Sequence, residues 1–358
     1  PPIEKLLSAY ELKTQPELIR YYHAAAGFPT KPTWLKAIKN EHYASWSGLR
    51  YKAAAKHFPE SDETWKGHGR KIKSGLRSTK QAITEEDDVN GRVLPTKESN
   101  QKTIFTKVYN LHDELDQKMY TDQTGKFPVR SYNGNQYIMV LVELIGNNIL
   151  VEAMRSRTSG EMVRAYQILV SRLKESGIEP KMHILDNECS NEFKIAIKSN
   201  GMKYQLVPPH DHRQNIAEKA VQTFKAHFIA VLCRTDAKFP MQLWCRILRQ
   251  AEHQLNMLRV SRAAPNKSAY AHMYGDHDYN ANPFAPLGTA VEMHVMPNNR
   301  KTWEEHTKTG YYIGNLWEHY RCHEVWISDT RSVRTGQTVF FKHKYLTQPS
   351  VTTSDAVL

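Results

Sequence analysis

The feature that most constrains this chain is a change of hydrophobic period between residues 118 and 232. Residues 118–124, 136–144 and 149–155 read as strands, the last two joined by the turn-forming Gly146, Asn147 and Asn148. Residues 160–176 switch to helical spacing, with Val163, Tyr166, Leu169, Val170 and Leu173 on one face and Gly177 placed to end the helix. Short apolar strands return at 182–185 and 204–207. After Pro208 and Pro209 a long helix is predicted to start near Gln214 or Asn215, burying Ala217, Val221, Phe224, Phe228 and Val231 or Leu232. Hairpin strands followed by alternating helix and strand predict an α/β layer on a mixed sheet.

The flanks have different patterns. Residues 1–80 read as a helical module: Leu18, Tyr22 and Ala25 share a helical face, Pro29 and Pro32 break the helix, and a second helix follows over 34–39. Residues 81–115 are polar and poorly periodic, as expected of a linker. The core is expected over 116–275, with a helix at 241–258. Residues 286–347 carry short strands with turn signals and predict a small, separate β-rich domain, with 348–358 as a tail. A chain of 358 residues has room for two or three domains of ~150 residues. Pro rather than Met at position 1 suits a processed or partial chain.

Charge narrows the partner. Lys and Arg number 49 against 37 acids, a formal +12, which favours a polyanion. The first 80 residues hold 15 of those basic residues and 7 of the acids. Residues 66–80 contain six Lys or Arg and no acid, then Glu85, Glu86, Asp87 and Asp88 follow. Two readings stay open: a solvated linker, or an arm in which Arg70, Lys71 and Lys73 touch phosphates. Such a stretch also suits a nuclear import signal. No apolar run approaches the ~20 residues of a membrane-spanning helix, so no membrane partner is expected. The cysteines Cys189, Cys233, Cys245 and Cys322 form no C-x-x-C pair, which points to a reducing, intracellular setting.

Three carboxylates carry the candidate chemistry. Asp122 lies in the first strand, Asp186 ends the apolar run 182–185, and Glu218 lies in the first turn of the long helix. A carboxylate in an apolar strand needs a partner, and a hard divalent cation is one. Two such ions can clamp the attacking and leaving oxygens of a phosphodiester. From spacing alone, Asp186 is equally suited to cap the next turn, and Glu218 to favour the helix dipole.

In order, these segments resemble the integrase of long-terminal-repeat retrotransposons, most closely the copia-like type. The resemblance rests on Asp122 with Thr124 and Gly125; Gly134 and Tyr137; Asp186 and Asn187 with Glu192 and Phe193; and Pro208, Pro209, His210, Gln214, Asn215 and Glu218. It continues through 261–274 and 310–341 and spans roughly 115–345. It implies an RNase H-like α/β core with a mixed five-stranded sheet, preceded by the helical module and followed by the β-rich domain. It also implies that Asp122, Asp186 and Glu218 bind two Mg²⁺ or Mn²⁺ ions for DNA end processing and strand transfer. The implied partners are double-stranded DNA, as element ends and target, and further copies of the chain in a multimer acting in the nucleus. Asn187 and Asn215 stand beside the acids, and Lys219 and Lys225 are placed to face phosphates. Asp113 and Asp116 rival Asp122, Asp211 rivals Glu218, and Glu188 adds a fourth acid.

The chain departs from the family upstream. Where the family carries a zinc module, His23 matches a first ligand, but Phe28 stands at the second and no Cys precedes Cys189. Zinc is not expected there; the module is expected to hold by packing, with its histidines on the surface. Two other functions fit the same residues: an inactive or domesticated nucleic-acid-binding copy, and an RNase H-like nuclease that cuts without joining.

Overall fold

The computed structural model describes residues 8–70, 117–185, 189–206 and 216–342. The expected linker over 81–115 and tail over 348–358 lie outside these residues. The first described segment is helical: α1 (Gln15–Ala25), α2 (Lys31–Lys39), α3 (Tyr51–Lys56) and α4 (Asp62–His68). Thr14 caps α1 by accepting the Glu17 N–H. Pro32, expected to break a helix, instead sits in the first turn of α2, where its missing N–H costs nothing. Ile19, Tyr22, Trp34 and Trp46 form the buried centre of this module.

Five strands build the central sheet: β1 (Lys118–Gln123), β2 (Tyr137–Glu143), β3 (Ile149–Met154), β4 (Met182–Leu185) and β5 (Lys203–Leu206). Their order is β3-β2-β1-β4-β5. β1, β2 and β3 pair antiparallel, whereas β4 runs parallel to β1 and β5 parallel to β4. This is the order and polarity of an RNase H-like core. Helix α5 (Ser159–Glu175) joins β3 to β4, and α6 (Asn191–Ser199) joins β4 to β5. Both cover one face, where Met119, Met139, Leu141 and Leu150 meet Tyr166, Leu169, Leu173, Phe193 and Ile197. Each such side chain contributes ~1.5–3 kcal/mol by leaving water.

The opposite face carries Tyr120, Val140, Val142 and Val151. Against it lie α7 (Ile216–Leu232), through Ala217, Val221, Phe224 and Phe228, and α8 (Leu248–Leu258). The helix expected over 241–258 starts later than its pattern suggests. Residues 241–243 form a 3-10 turn, and the α-helix begins only at Leu248. Leu243, Trp244 and Ile247 are buried in that irregular stretch, so packing rather than helical period places them. Helix α8 also closes the open edge of β3: Asn256 accepts the Ile149 N–H (2.9 Å) and donates to its carbonyl (2.8 Å), and Glu252 accepts the Val151 N–H (2.8 Å). A bare strand edge is thereby paired by side chains.

After α9 (Ala269–Tyr274) comes a second sheet of β6 (Ala290–His294), β7 (Thr307–Asn315), β8 (His323–Ile327), β9 (Ser332–Gly336) and β10 (Val339–Phe341), ordered β10-β6-β7-β8-β9. All its pairs are antiparallel. This sheet is not separately cored. Tyr312, Val325 and Phe341 belong to the same apolar cluster as Trp244, Phe224 and Trp46, so the helical module, the α7 face and the second sheet share one interior.

Candidate active site

Asp122 is the fifth residue of β1 and pairs across to Val140. Strand alternation assigns it to the side of Tyr120 and Val140, the face that α7 covers, while Met119 and Thr121 face α5. It is half-buried, and its Oδ1 accepts the Gln123 N–H at 2.7 Å. The strand end is held from three directions. Thr121 shares a 2.9 Å hydrogen bond with His183 Nε2 on β4. The Thr124 N–H donates to the Ile138 carbonyl, and its Oγ1 accepts the Ile138 N–H at 3.1 Å. Arg157 donates to the Thr124 carbonyl at 2.7 Å. Thr124 of the quoted motif is therefore a clasp between β1 and β2.

His183 is fully buried, stacked on Tyr166 at 5.3 Å with the rings 4° from parallel. Burial pulls its imidazole down to about 3, so it is neutral at physiological pH. The register between β1 and β4 runs Lys118↔Met182, Met119↔His183 and Tyr120↔Ile184. Asp122 thus stands two residues beyond the last pair, at the end where parallel β1 and β4 both finish. Asp186 and Asn187 follow Leu185 in sequence and lie outside the described residues. So do Asn215, Lys71 and Lys73, and the rivals Asp113, Asp116, Glu188 and Asp211.

Glu218 is exposed in the first described turn of α7, where Gln222 donates to its Oε1 at 3.4 Å. Its neighbour Ala217 is buried against the sheet. Helix α7 is gripped on its other side by α4: a Cβ on Gly67 would lie 2.5 Å from the Ala226 carbonyl and 2.6 Å from the Ala230 methyl. Glu63 of α4 adds a 2.7 Å ion pair with Arg234, two residues past the end of α7. Lys219 and Lys225 are exposed on α7, and Arg70 is exposed just after α4.

The donor set suits a hard cation. Asp122 and Glu218 offer carboxylate oxygens, one from the sheet end and one from the helix on that face. Among the described residues, no three His, Cys, Asp or Glu side chains are grouped as a metal site. No family model matches the chain, and no curated protein matches it. Solved structures do. A chain of the simian T-cell lymphotropic virus intasome in complex with PP2A regulatory subunit B56 gamma is 16% identical, with a TM-score of 0.37, covering 63% of this chain and 77% of that one. The catalytic core domain of BIV integrase is 16% identical, with a TM-score of 0.33, covering 44% of this chain and 93% of that one.

The upstream histidines differ from expectation. His23 is not on the surface: it is 1% exposed, its Nε2 lies 2.8 Å from the Pro29 carbonyl, and its ring is ringed edge-on by Phe28, Trp34 and Phe58. Burial draws its imidazole down to about 4. It acts as a core residue, with Phe28 packing on it where a second ligand would stand. His42 is partly buried, its Nδ1 2.8 Å from the Met257 carbonyl. Sequence reasoning also missed the Thr121–His183 bond, although a lone His in the apolar run 182–185 was the available signal.

Proposed function

We propose that the chain is a polynucleotidyl transferase of the DNA-integration type, of a copia-like retrotransposon, with Asp122, Asp186 and Glu218 as its metal ligands. The observation that supports it most is the placing of Asp122. It stands past the last β1–β4 pair, on the face covered by the helix that bears Glu218. In β4, Ile184 packs toward that same face while Leu185 packs toward α5.

Mg²⁺ or Mn²⁺ bound there would activate the attacking water or 3′-hydroxyl and stabilise the leaving oxygen. The chain's own residues supply position. Thr121 with His183, and Thr124 with Ile138, fix the strand end that carries Asp122. Helix α7, held between the sheet and α4, keeps Glu218 on a rigid element. Lys219 and Lys225, exposed on the same helix, suit backbone phosphates of element-end and target DNA. Asn187 and Asn215 would orient the acids beside them, and Arg70, Lys71 and Lys73 would add phosphate contacts upstream. Action as a multimer in the nucleus belongs to the same reading. No described helix is long and apolar enough to cross a membrane.

The test is a joining assay on terminal-repeat oligonucleotides. Asp186→Asn and Glu218→Gln should abolish Mg²⁺-dependent joining while DNA affinity stays near wild type. Joining at wild-type rates by both variants would remove the assignment. A wild-type chain that cuts and never joins would be an RNase H-like nuclease instead.

A further inference from the structure

We propose that the cleft between the β1–β2 connection and the β8–β9 hairpin of the second sheet is a site for one unpaired nucleotide of a DNA strand. Tyr132, Asn133, Gln242, Arg246, Trp326 and Arg331 line it, and its volume is about 380 Å³. That lies at the lower end of the ~300–1,000 Å³ of ordinary ligand sites, so it suits one base with its phosphate and not a duplex.

Tyr132 is the centre of the argument. Its ring stacks on Trp326 with centroids 5.4 Å apart and planes 19° from parallel. Trp326 is 8% exposed while Tyr132 is 56% exposed, so the phenol is backed on one side and open on the other. The backbone beneath it is fixed. The Tyr132 N–H donates to the Gln242 carbonyl at 3.1 Å, and the turn closes at Gly134, whose φ of +84° suits glycine. An aromatic ring already held in place is a stacking platform that a base can join without first ordering it.

Charge agrees. Arg246 and Arg331 are exposed at the cleft, and neither forms an ion pair with a described residue. Burial pushes the nearby Glu324 carboxyl up, and the Arg246 charge partly opposes that shift. Two exposed guanidinium groups beside an open aromatic face match a phosphate and a base of the same nucleotide. The Gln242 and Asn133 amides add a donor and an acceptor for the base edge. Leu243 and Cys245 complete the lining and give the base an apolar floor.

The choice of deoxynucleotide rests on the DNA reading above; the stacking argument does not. The experiment is binding of the full chain to a labelled oligothymidylate, to a duplex, and to an abasic strand of equal length. Tyr132→Ala should weaken oligothymidylate binding roughly 5- to 100-fold. It should leave duplex and abasic binding within about twofold, and Tyr132→Phe should stay within about twofold of wild type on all three. Arg246→Ala and Arg331→Ala should each lower the salt slope on the single strand by about 0.7. Unchanged oligothymidylate binding by Tyr132→Ala would overturn the proposal. So would an equal loss on all three ligands, which marks a general cationic surface, or a wild-type chain that binds the abasic strand as tightly as the oligothymidylate. The two readings separate cleanly. If the wild-type chain joins no DNA with Mg²⁺ while Tyr132→Ala loses the oligothymidylate, the integration reading fails and the cleft stands; wild-type joining with oligothymidylate binding unchanged in Tyr132→Ala removes the cleft alone.

Discussion

The two faces of the central sheet are built from the same strands and solve different problems. On the α5 face the interior contacts are mostly apolar; inside them His183 is paired with Thr121 and stacked on Tyr166, while Arg164 and Arg172 of α5 reach the β3 edge. On the α7 face the sheet carries Asp122 at its end, and the β3 edge is closed by Glu252 and Asn256 of α8, with Arg172 reaching across from α5 to pair with Glu252. One face is therefore a packing surface, and the other a platform for polar groups that must be held in place. The α7 layer is also backed by α4, so the helix bearing Glu218 is fixed from both sides.

That contrast can be broken by mutation. Glu252 is fully buried, accepts the Val151 N–H, and pairs with Arg172, which also donates to the Val151 carbonyl at 3.2 Å. Glu252→Ala leaves Arg172 buried and unpaired, and should cost ~3–5 kcal/mol in urea unfolding. Leu169→Ala on the other face should cost ~2–5 kcal/mol while leaving activity per folded molecule unchanged. If Leu169→Ala abolished activity in a folded protein, the division of labour between the faces would be wrong.

A pH series sharpens the comparison without mutation. His183 on one face and His227 in α7 are both held at about 3, and His23 at about 4, each mainly by burial. These values lie below the free imidazole's ~6.5, so between them the unfolded chain binds more protons than the folded one. Stability is then complete above about pH 6.5 and falls as pH drops toward 4, by up to ~1.4 kcal/mol per histidine per unit. Glu143 and Glu324, raised by burial, oppose this in the carboxylate range. Unfolding curves from pH 7 to 4.5 would show the trend; stability that rose on acidification would contradict it. The smallest expected effect is Thr121→Val. Losing the bond to His183 should cost ~0.5–1.5 kcal/mol, with a larger fractional loss of joining than of stability, because the strand end carrying Asp122 loosens.

Much of the sheet was readable from period alone. The run 182–185 became β4 with those bounds, and the apolar stripes of α5 and α7 pointed where the sequence pattern placed them. Helix α6 was not read, because nine residues bury only Phe193, Ala196 and Ile197, and its clearest signal is the Ser190 cap. The irregular start of α8, and the burial of His23, were set by contacts with distant segments that no local pattern carries. The same holds for Glu252 and Asn256, which look like ordinary polar helix residues until β3 is beside them. Of the candidate site, Asp122 is proposed from its place in the first strand and its Thr124–Gly125 context, and Glu218 from its place in the first turn of an amphipathic helix; Asp186 lies outside the described residues.

The most direct test of the central claim is strand transfer by the full chain on a terminal-repeat oligonucleotide, run with Mg²⁺, with EDTA, and with Asp122→Asn. The account predicts joined product with Mg²⁺, none with EDTA, and a loss on the order of 10³-fold or more for Asp122→Asn in a protein that unfolds at the wild-type denaturant concentration. Joining in EDTA, or wild-type joining by Asp122→Asn, would contradict it.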